Sequence, residues 1–161
     1  MELPDPLVVR IASALTPGAA LDLACGTGRH AIWLAERGWR VTAVDRSSEA
    51  IASLRERAPS ADARVANLEA GEYIIEKSAW DLVLISRYLQ RDLFEPAKLG
   101  VKPRGVLIAI VLLEDPAKHP QRFRARPGEL QSFFRGWEIL HAYEGIASNH
   151  YVAELAARRG L

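Results

Sequence analysis

Strand-like and helix-like patterns of apolar residues alternate along the first two thirds of the chain. Strand patterns cover residues 20–24, 41–44, 61–66, 80–85 and 106–113, and the last of these is apolar throughout, as expected for a strand buried on both faces. Segments with helical spacing separate them. Strands that alternate with helices favour a parallel sheet whose connections are right-handed crossovers.

The predicted helices have clear start and stop signals. Ser47 is placed to cap the N-terminus of one helix, and Gly38, Gly100 and Gly136 follow others as stops. A turn over residues 102–105 then leads into the fifth strand. The predicted helices cover residues 5–15, 29–37, 47–58, 92–99 and 130–134.

The pattern changes in the last third of the chain. Residues 137–143 and 151–157 both fit strands, and the segment 144–149 between them is too short for a crossover helix. The two strands must therefore form an antiparallel hairpin. The predicted fold is α/β: a three-layer, Rossmann-like sheet of five parallel strands plus a C-terminal antiparallel hairpin, seven strands in all, in one domain over residues 1–161.

Composition narrows the classes of partner. The formal charge of +1 gives no reason to expect nucleic acid or an anionic membrane. Cys25 is the only cysteine, which excludes an internal disulfide and a cysteine-based zinc site, and no metal ligand set is predicted. The first residues lack a signal-peptide pattern, and no apolar run approaches the ~20 residues that span a bilayer. We therefore expect a cytoplasmic protein.

The candidate chemistry begins in the segment LDLACGTGRHAIWLAERGWRVTAVD, residues 21–45. A strand leads into a Gly-x-Gly turn and a helix, and Asp45 lies at the end of the second strand, where an acid can bind ribose hydroxyls. This is a nucleotide-type βαβ unit. Asp22 makes it more specific, because it lies inside the first strand, where a dinucleotide-binding strand is usually apolar.

The chain resembles the class I S-adenosylmethionine-dependent methyltransferases. LDLACGTG is similar to the first motif of that family, VTAVD to the second, ANLE to the third and WDLVLISRY to the fourth, while KPRGVLIAI is similar to the start of its fifth strand. SRYLQRDLF and RFRARPGELQSFFRGWEIL are most similar to small bacterial tellurite-resistance and thiopurine methyltransferases. Two positions depart from the pattern: Ala24 replaces the first glycine, and Asn67 replaces an aspartate.

The resemblance implies S-adenosyl-L-methionine as cofactor, S-adenosyl-L-homocysteine as product, and a role for each matching residue. Asp22 would attract the ammonium group, Asp45 would accept the ribose hydroxyls, and Arg46 would pack against the adenine face. The backbone of Gly26 and Gly28 would lie beneath the methionine and ribose. The remaining cofactor-binding residues would be Ala24, Cys25, Ala66, Asn67, Leu68 and Ser86.

The methyl acceptor is less well specified. Arg87 and Tyr88 follow the fourth strand and would orient a small molecule or small anion for in-line displacement; Tyr151 is a further candidate. A cation-rich segment, 114–129, is either an anion-attracting rim or a solvated loop. Its basic residues are Lys118, His119, Arg122, Arg124 and Arg126. No Asn-Pro-Pro-Tyr or Pro-Cys motif is present, which argues against methylation of DNA amines or of pyrimidine carbon.

Several alternatives stay open from the sequence. The Gly-x-Gly-x-x-Ala pattern also fits an NAD(P)-binding oxidoreductase, and the chain could instead be a non-catalytic or partner-dependent S-adenosylmethionine-binding protein, or a methyltransferase for protein or RNA. Asp22 could be satisfied by a backbone group, Asp45 could be only a helix-terminal acid, and Asn67 could be a turn residue. The expected state is a monomer or homodimer. Four tryptophans are assigned to the core: Trp33, Trp39, Trp80 and Trp137.

Overall fold

The computed structural model describes residues 2–118 and 123–161. The strands of this part are β1 (Ala19–Leu23), β2 (Arg40–Asp45), β3 (Asp62–Val65), β4 (Trp80–Ser86), β5 (Val101–Leu112), β6 (Glu138–Ala147) and β7 (His150–Arg158). They form a seven-stranded sheet in the order β3-β2-β1-β4-β5-β7-β6. The first five strands pair in parallel, and β7 pairs antiparallel with both β5 and β6. The predicted α/β fold, with its seven-stranded sheet and C-terminal hairpin, is therefore confirmed.

Helices cover both faces of the sheet. They are α1 (Pro6–Ser13), α2 (Arg29–Ala35), α3 (Ser48–Arg57), α4 (Phe94–Gly100) and the short α5 (Glu129–Ser132), with a 3-10 turn at Arg91–Leu93. The first three pack on one face and α4 and α5 on the other, which gives two apolar layers. None of the described helices is long and apolar enough to cross a membrane.

The four tryptophans that were assigned to the core differ in how deeply they are buried. Trp39 and Trp80 are buried, whereas Trp33 and Trp137 are half-buried and pack against the edges of the two layers. Phe134 contacts Trp137 edge to face, with ring centroids 5.5 Å apart. The partly exposed rings thus close the margins of the core rather than its centre.

Two connections differ from the sequence prediction. Residues 102–105 do not form a separate turn, because β5 already begins at Val101, which pairs with Trp80. The register then resumes at Leu82 and Val106, so the turn-forming residues form an irregularity inside the strand. The predicted loop at 144–149 was also too long: only Ser148 and Asn149 separate β6 from β7. Their φ angles of 50° and 65° fit a two-residue hairpin turn.

The strand order places a crevice at one edge of the sheet. The chain leaves β1 toward β2, whereas β4 leads away toward β5 on the opposite side. In open α/β sheets, ligands bind outside the carboxyl ends of the strands at such a switch point. The loops that follow β1, β2 and β4 meet there.

Candidate cofactor site

The loop after β1 is built for close approach of a ligand to its backbone. Ala24, Gly26 and Gly28 all have left-handed φ angles, of 56°, 58° and 87°. A Cβ on Gly26 would meet nothing within 4 Å, so the space above this residue is open, whereas a Cβ on Gly28 would lie 2.5 Å from Cδ1 of Leu54 on α3. Gly26 therefore faces the crevice, and Gly28 allows α3 to pack beneath the loop.

Asp45 ties this loop to the end of β2. Its Oδ1 accepts a hydrogen bond from the Gly26 N–H at 3.1 Å, and its Oδ2 accepts one from the Ser47 N–H at 2.9 Å. Ser47 is the N-cap of α3, as predicted, and accepts from the Ala50 N–H. Each carboxylate oxygen has a second lone pair, so Asp45 can still accept hydrogen bonds from two hydroxyl groups of a ligand.

Asp22 is a buried acid, and one of its oxygens has no hydrogen-bond partner among the described residues. It is 2% exposed, and its Oδ2 makes no hydrogen bond within the described part of the chain, nor does the buried Oγ of Ser86. Burial raises the pKa of Asp22 to about 7; Arg29 opposes this shift and Asp45 adds to it. Buried polar atoms in folded proteins normally have a partner. An orphaned carboxylate oxygen therefore points to a ligand group that donates to it.

Two adjoining cavities form one cleft over the crevice. The first has a volume of ≈ 380 Å³ and the second ≈ 310 Å³. Their walls share Ala24, Asp45, Arg87 and Tyr88. Of the predicted site residues, the first cavity also has Arg46, Ala66, Asn67 and Leu68, and the second has Asp22, Cys25, Gly26 and Ser86. Gly28 is the predicted residue that does not line the cleft, because it lies under Leu54.

Residues 20–102, just over half of the chain, match the family model of the methyltransferase domain. The chain belongs to this family. Curated relatives include a probable S-adenosyl-L-methionine-dependent methyltransferase, TehB, of Haemophilus influenzae, which is 25% identical over 161 residues covering 91% of this chain and 55% of the relative. Another is hemagglutinin 1 of Eikenella corrodens, which is 27% identical over 155 residues covering 84% of this chain and 49% of the relative.

The fold comparison agrees with the family match. The crystal structure of TehB from Haemophilus influenzae superposes with a TM-score of 0.85 at 22% identity, covering 97% of this chain and 62% of that one. The chain spans about half the length of the curated relatives that it matches. The predicted methyltransferase family is thus confirmed, and the comparisons do not favour the NAD(P)-binding alternative.

Three ionisable residues at the Asp22 end of the cleft were not predicted from the sequence. Glu2, Arg29 and His30 all line the second cavity. Glu2 Oε1 lies 3.8 Å from Arg29 Nη1 and 3.4 Å from Arg87 Nη1, and Arg29 also donates to the Leu3 carbonyl at 3.1 Å. The N-terminal segment therefore lies across this end of the cleft. Surface ion pairs of this kind contribute at most about 1 kcal/mol, so a ligand can displace the Glu2 carboxylate.

His30 is a buried neutral histidine in the same wall. Its Nε2 accepts a hydrogen bond from the Asp5 N–H at 3.0 Å, which joins α2 to the start of α1. Burial lowers the pKa of His30 to about 3, and Arg29 and Arg87 lower it further in the same direction. The sequence marks His30 only by its position after the glycine turn, because its hydrogen-bond partner Asp5 lies 25 residues away.

Asn67 forms local hydrogen bonds in addition to lining the cleft. Its Oδ1 accepts a hydrogen bond from the Glu69 N–H at 3.0 Å, and its own N–H donates to Glu72 Oε1 at 2.8 Å. The side chain thus forms a local turn, the alternative interpretation of this residue. The oxygen has a second lone pair, so a role toward an adenine amine stays a prediction.

Cys25 is placed as a packing residue rather than a nucleophile. Burial raises the pKa of its thiol, and the nearby Asp22 and Asp45 raise it further. The Sγ contacts the Gly26 carbonyl oxygen at 3.4 Å. A thiol with a raised pKa is a poor source of thiolate.

Arg87 and Tyr88 stand where the two cavities meet. Arg87 has a φ of 57°, unusual for a residue other than glycine, and its N–H donates to the Ile110 carbonyl. Strained backbone of this kind concentrates at functional sites. The Tyr88 hydroxyl donates to Gln90 Oε1, and Gln90 Nε2 donates to the Leu68 carbonyl at 3.3 Å, so this ring is held in position. Burial raises the pKa of Tyr88.

The cation-rich segment after β5 contributes little to the cleft where it is described. Lys118 lies 3.9 Å from Asp115, and Arg124 Nη1 donates to the Leu113 carbonyl at 3.1 Å. Phe123, rather than Lys118, Arg124 or Arg126, lines the first cavity. His119 and Arg122 lie outside the described residues. Tyr151 is half-buried against the core and lines neither cavity of the cleft.

Proposed function

We propose that this chain binds S-adenosyl-L-methionine in the cleft and transfers its methyl group to a small acceptor. One observation carries the proposal: the cleft has the buried acid Asp22 at one end, whose Oδ2 has no partner in the described part of the chain, and the ribose-type acid Asp45 near its middle. S-adenosylmethionine has an ammonium group and a ribose diol, which these two acids match in chemistry. NAD(P) has no ammonium group for Asp22.

The other groups of the cofactor also find matching chemistry. Arg29 is the cation whose charge acts on Asp22, and it would hold the cofactor carboxylate in place of Glu2. Gly26 leaves its backbone open toward the methionine and ribose. Arg46 and the first-cavity residues Ala66, Asn67 and Leu68 would surround the adenine. The buried Ser86 hydroxyl, which also lacks a partner, would complete the methionine side.

The reaction needs alignment more than it needs acid or base chemistry. The bound cofactor supplies a methyl group on a positively charged sulfonium, ready for in-line displacement. Arg87 and Tyr88 would orient the acceptor, because they stand where the two cavities meet and are held by the backbone of Ile110 and by Gln90. Good alignment alone can lower a barrier by about 7–11 kcal/mol. The cytoplasmic location, the small-molecule acceptor and a monomeric or homodimeric state stay predictions.

A product assay tests the proposal. The purified chain is incubated with S-adenosylmethionine and, in separate reactions, with thiols, phenols, and selenium and tellurium oxyanions; S-adenosylhomocysteine is measured by mass spectrometry. We expect acceptor-dependent product for at least one class, and at least a tenfold loss in Arg87→Gln but not in Arg57→Gln, a control on the exposed side of α3. Binding of S-adenosylhomocysteine without turnover of any acceptor would favour the non-catalytic alternative.

A further inference from the structure

Three side chains joined by hydrogen bonds lie outside the cofactor cleft. Arg10 on α1 has its Nη2 2.9 Å from His141 Nδ1, and His141 Nε2 lies 3.0 Å from Glu154 Oε1. The three residues come from α1, β6 and β7, and Arg10 and His141 are 131 positions apart. None of them lines the two cavities of the cofactor cleft.

The order of the hydrogen bonds fixes the protons on the histidine. A guanidinium only donates, so Nδ1 of His141 must accept from Arg10. When His141 is neutral, its proton lies on Nε2 and is donated to Glu154. The Glu154 side chain is 14% exposed, and within the described chain no hydrogen bond engages its Oε2. Arg10 and His141 therefore hold the carboxylate in one orientation and leave one oxygen free.

That carboxylate lies in the wall of a second cavity, near the cofactor cleft. Glu154, Arg10 and His141 line a cavity of ≈ 340 Å³ between α1 and the β6–β7 hairpin. A narrow space of ≈ 20 Å³ adjoins it, with Glu154 and Arg87 both in its wall. Arg87 also lines both cavities of the cofactor cleft. The narrow space thus separates the hairpin cavity from the cofactor cleft, and Arg87 lies between the two.

The register of the sheet determines how far Glu154 lies from the cofactor cleft. Glu154 pairs with Ile110 on β5, and Ile110 pairs with Ser86 at the end of β4, so the three side chains share one face of the sheet. Two strand spacings of roughly 4.8 Å place the Glu154 and Ser86 backbones about 10 Å apart. A single small oxyanion cannot span this separation. A molecule of several heavy atoms can span it when it displaces the Arg87 side chain, which is 45% exposed and paired with Glu2, from the narrow space.

We propose that Glu154 binds a hydrogen-donating group of the methyl acceptor, best a protonated amine, and that Arg10 and His141 are positioning residues for its carboxylate. This inference rests on the proposed methyl transfer and names the class of acceptor. The nucleophilic atom then lies at the Arg87 end of the molecule and the amine at the Glu154 end. The cation Arg87 is already paired with Glu2. The free oxygen of the Glu154 carboxylate accepts hydrogen bonds and attracts positive charge, so this position favours a cationic group over an anion.

Three matched thiols test the acceptor class: cysteamine, mercaptoethanol and mercaptoacetate, which carry an amine, a hydroxyl and a carboxylate. We expect kcat/KM to fall in that order. Glu154→Gln is expected to raise KM for cysteamine about tenfold with little change in kcat, and to remove the preference for it. Glu138→Gln, at an exposed position of β6, is the control. A preference for mercaptoacetate would overturn the proposal.

A binding experiment tests the same inference without requiring turnover. S-methylcysteamine, the product expected from cysteamine, is titrated into the S-adenosylhomocysteine complex of each variant. We expect about tenfold weaker binding in Glu154→Gln and in His141→Leu, with partial recovery in His141→Gln, whose amide can still donate. Equal binding in Glu154→Gln and the unmodified chain would overturn this inference while S-adenosylhomocysteine still binds. Failure of S-adenosylhomocysteine to bind at all would instead contradict the proposed function.

Discussion

The substitution Asp22→Asn tests both the burial of this acid and its role toward a ligand. The pKa of Asp22 is about 7 in the folded chain, against 3.8 for an ordinary aspartate. At about 1.36 kcal/mol per pH unit, this difference corresponds to about 4 kcal/mol. Because the folded state holds the proton more tightly than the unfolded state, the free energy of unfolding should fall as pH rises from about 4 to about 7.

Asparagine has a similar shape and does not titrate. The ligand-free variant should therefore lack this loss, and its stability relative to the unmodified chain should increase between about pH 5 and about pH 8 by up to about 3 kcal/mol, because the rest of the loss lies below pH 5. Binding should change in the opposite sense. A hydrogen bond to a charged group contributes about 1.5–3 kcal/mol, so S-adenosylhomocysteine should bind about 10- to 100-fold more weakly to the variant.

Urea unfolding at both pH values measures the first effect, and calorimetric titration measures the second. In the unmodified chain, affinity should also fall about tenfold per unit as pH drops below about 7, because Asp22 must lose its proton to face an ammonium group. Asp92→Asn, at an exposed position, is the control for removal of a carboxylate. Parallel pH profiles of stability in the variant and the unmodified chain, with unchanged affinity, would refute this reasoning.

Three further substitutions probe the loops around the cleft. Ala24→Gly should raise the free energy of unfolding by about 1 kcal/mol in urea, since glycine adopts the left-handed conformation of this position without strain; a loss of stability would contradict this. Gly28→Ala should lower it by about 2 kcal/mol or more, because its Cβ would lie 2.5 Å from Leu54 Cδ1 at a φ of 87°; an unchanged urea midpoint would show that the loop and α3 adjust freely. Asp45→Ala should weaken S-adenosylhomocysteine binding at least tenfold in calorimetry, about 1.4 kcal/mol, and unchanged affinity would mean that the ribose lies elsewhere.

The fold could be predicted largely because local patterns and short connections determine it. Apolar runs separated by helical segments specified the parallel strands, and the short link before β7 required a hairpin. The errors lie where long-range pairing overrides turn chemistry. Residues 102–105 are typical of a turn, yet pairing of Val101 with Trp80 draws them into β5. The hairpin strands likewise extend until only Ser148 and Asn149 remain between them.

The same distinction between local pattern and long-range contact applies to the residues of the candidate site. Asp22 and Asp45 could be placed from the sequence, because the carboxyl ends of neighbouring parallel strands meet at one edge of the sheet. Glu2 and His30 could not, because Glu2 reaches Arg87 from 85 positions away and His30 accepts from Asp5 across 25. The sequence showed that Ala24 replaces the first glycine of the family pattern, and the structure shows what this requires: a left-handed alanine in the cofactor loop.

The central claim is that the cleft over β1 and β4 is a site for S-adenosylmethionine. Calorimetric titration of the chain with S-adenosylhomocysteine, and in parallel with NADH, tests it most directly. We expect saturable binding of S-adenosylhomocysteine that weakens in Asp22→Asn and Asp45→Ala, and no binding of NADH. Binding of NADH without binding of S-adenosylhomocysteine would contradict it.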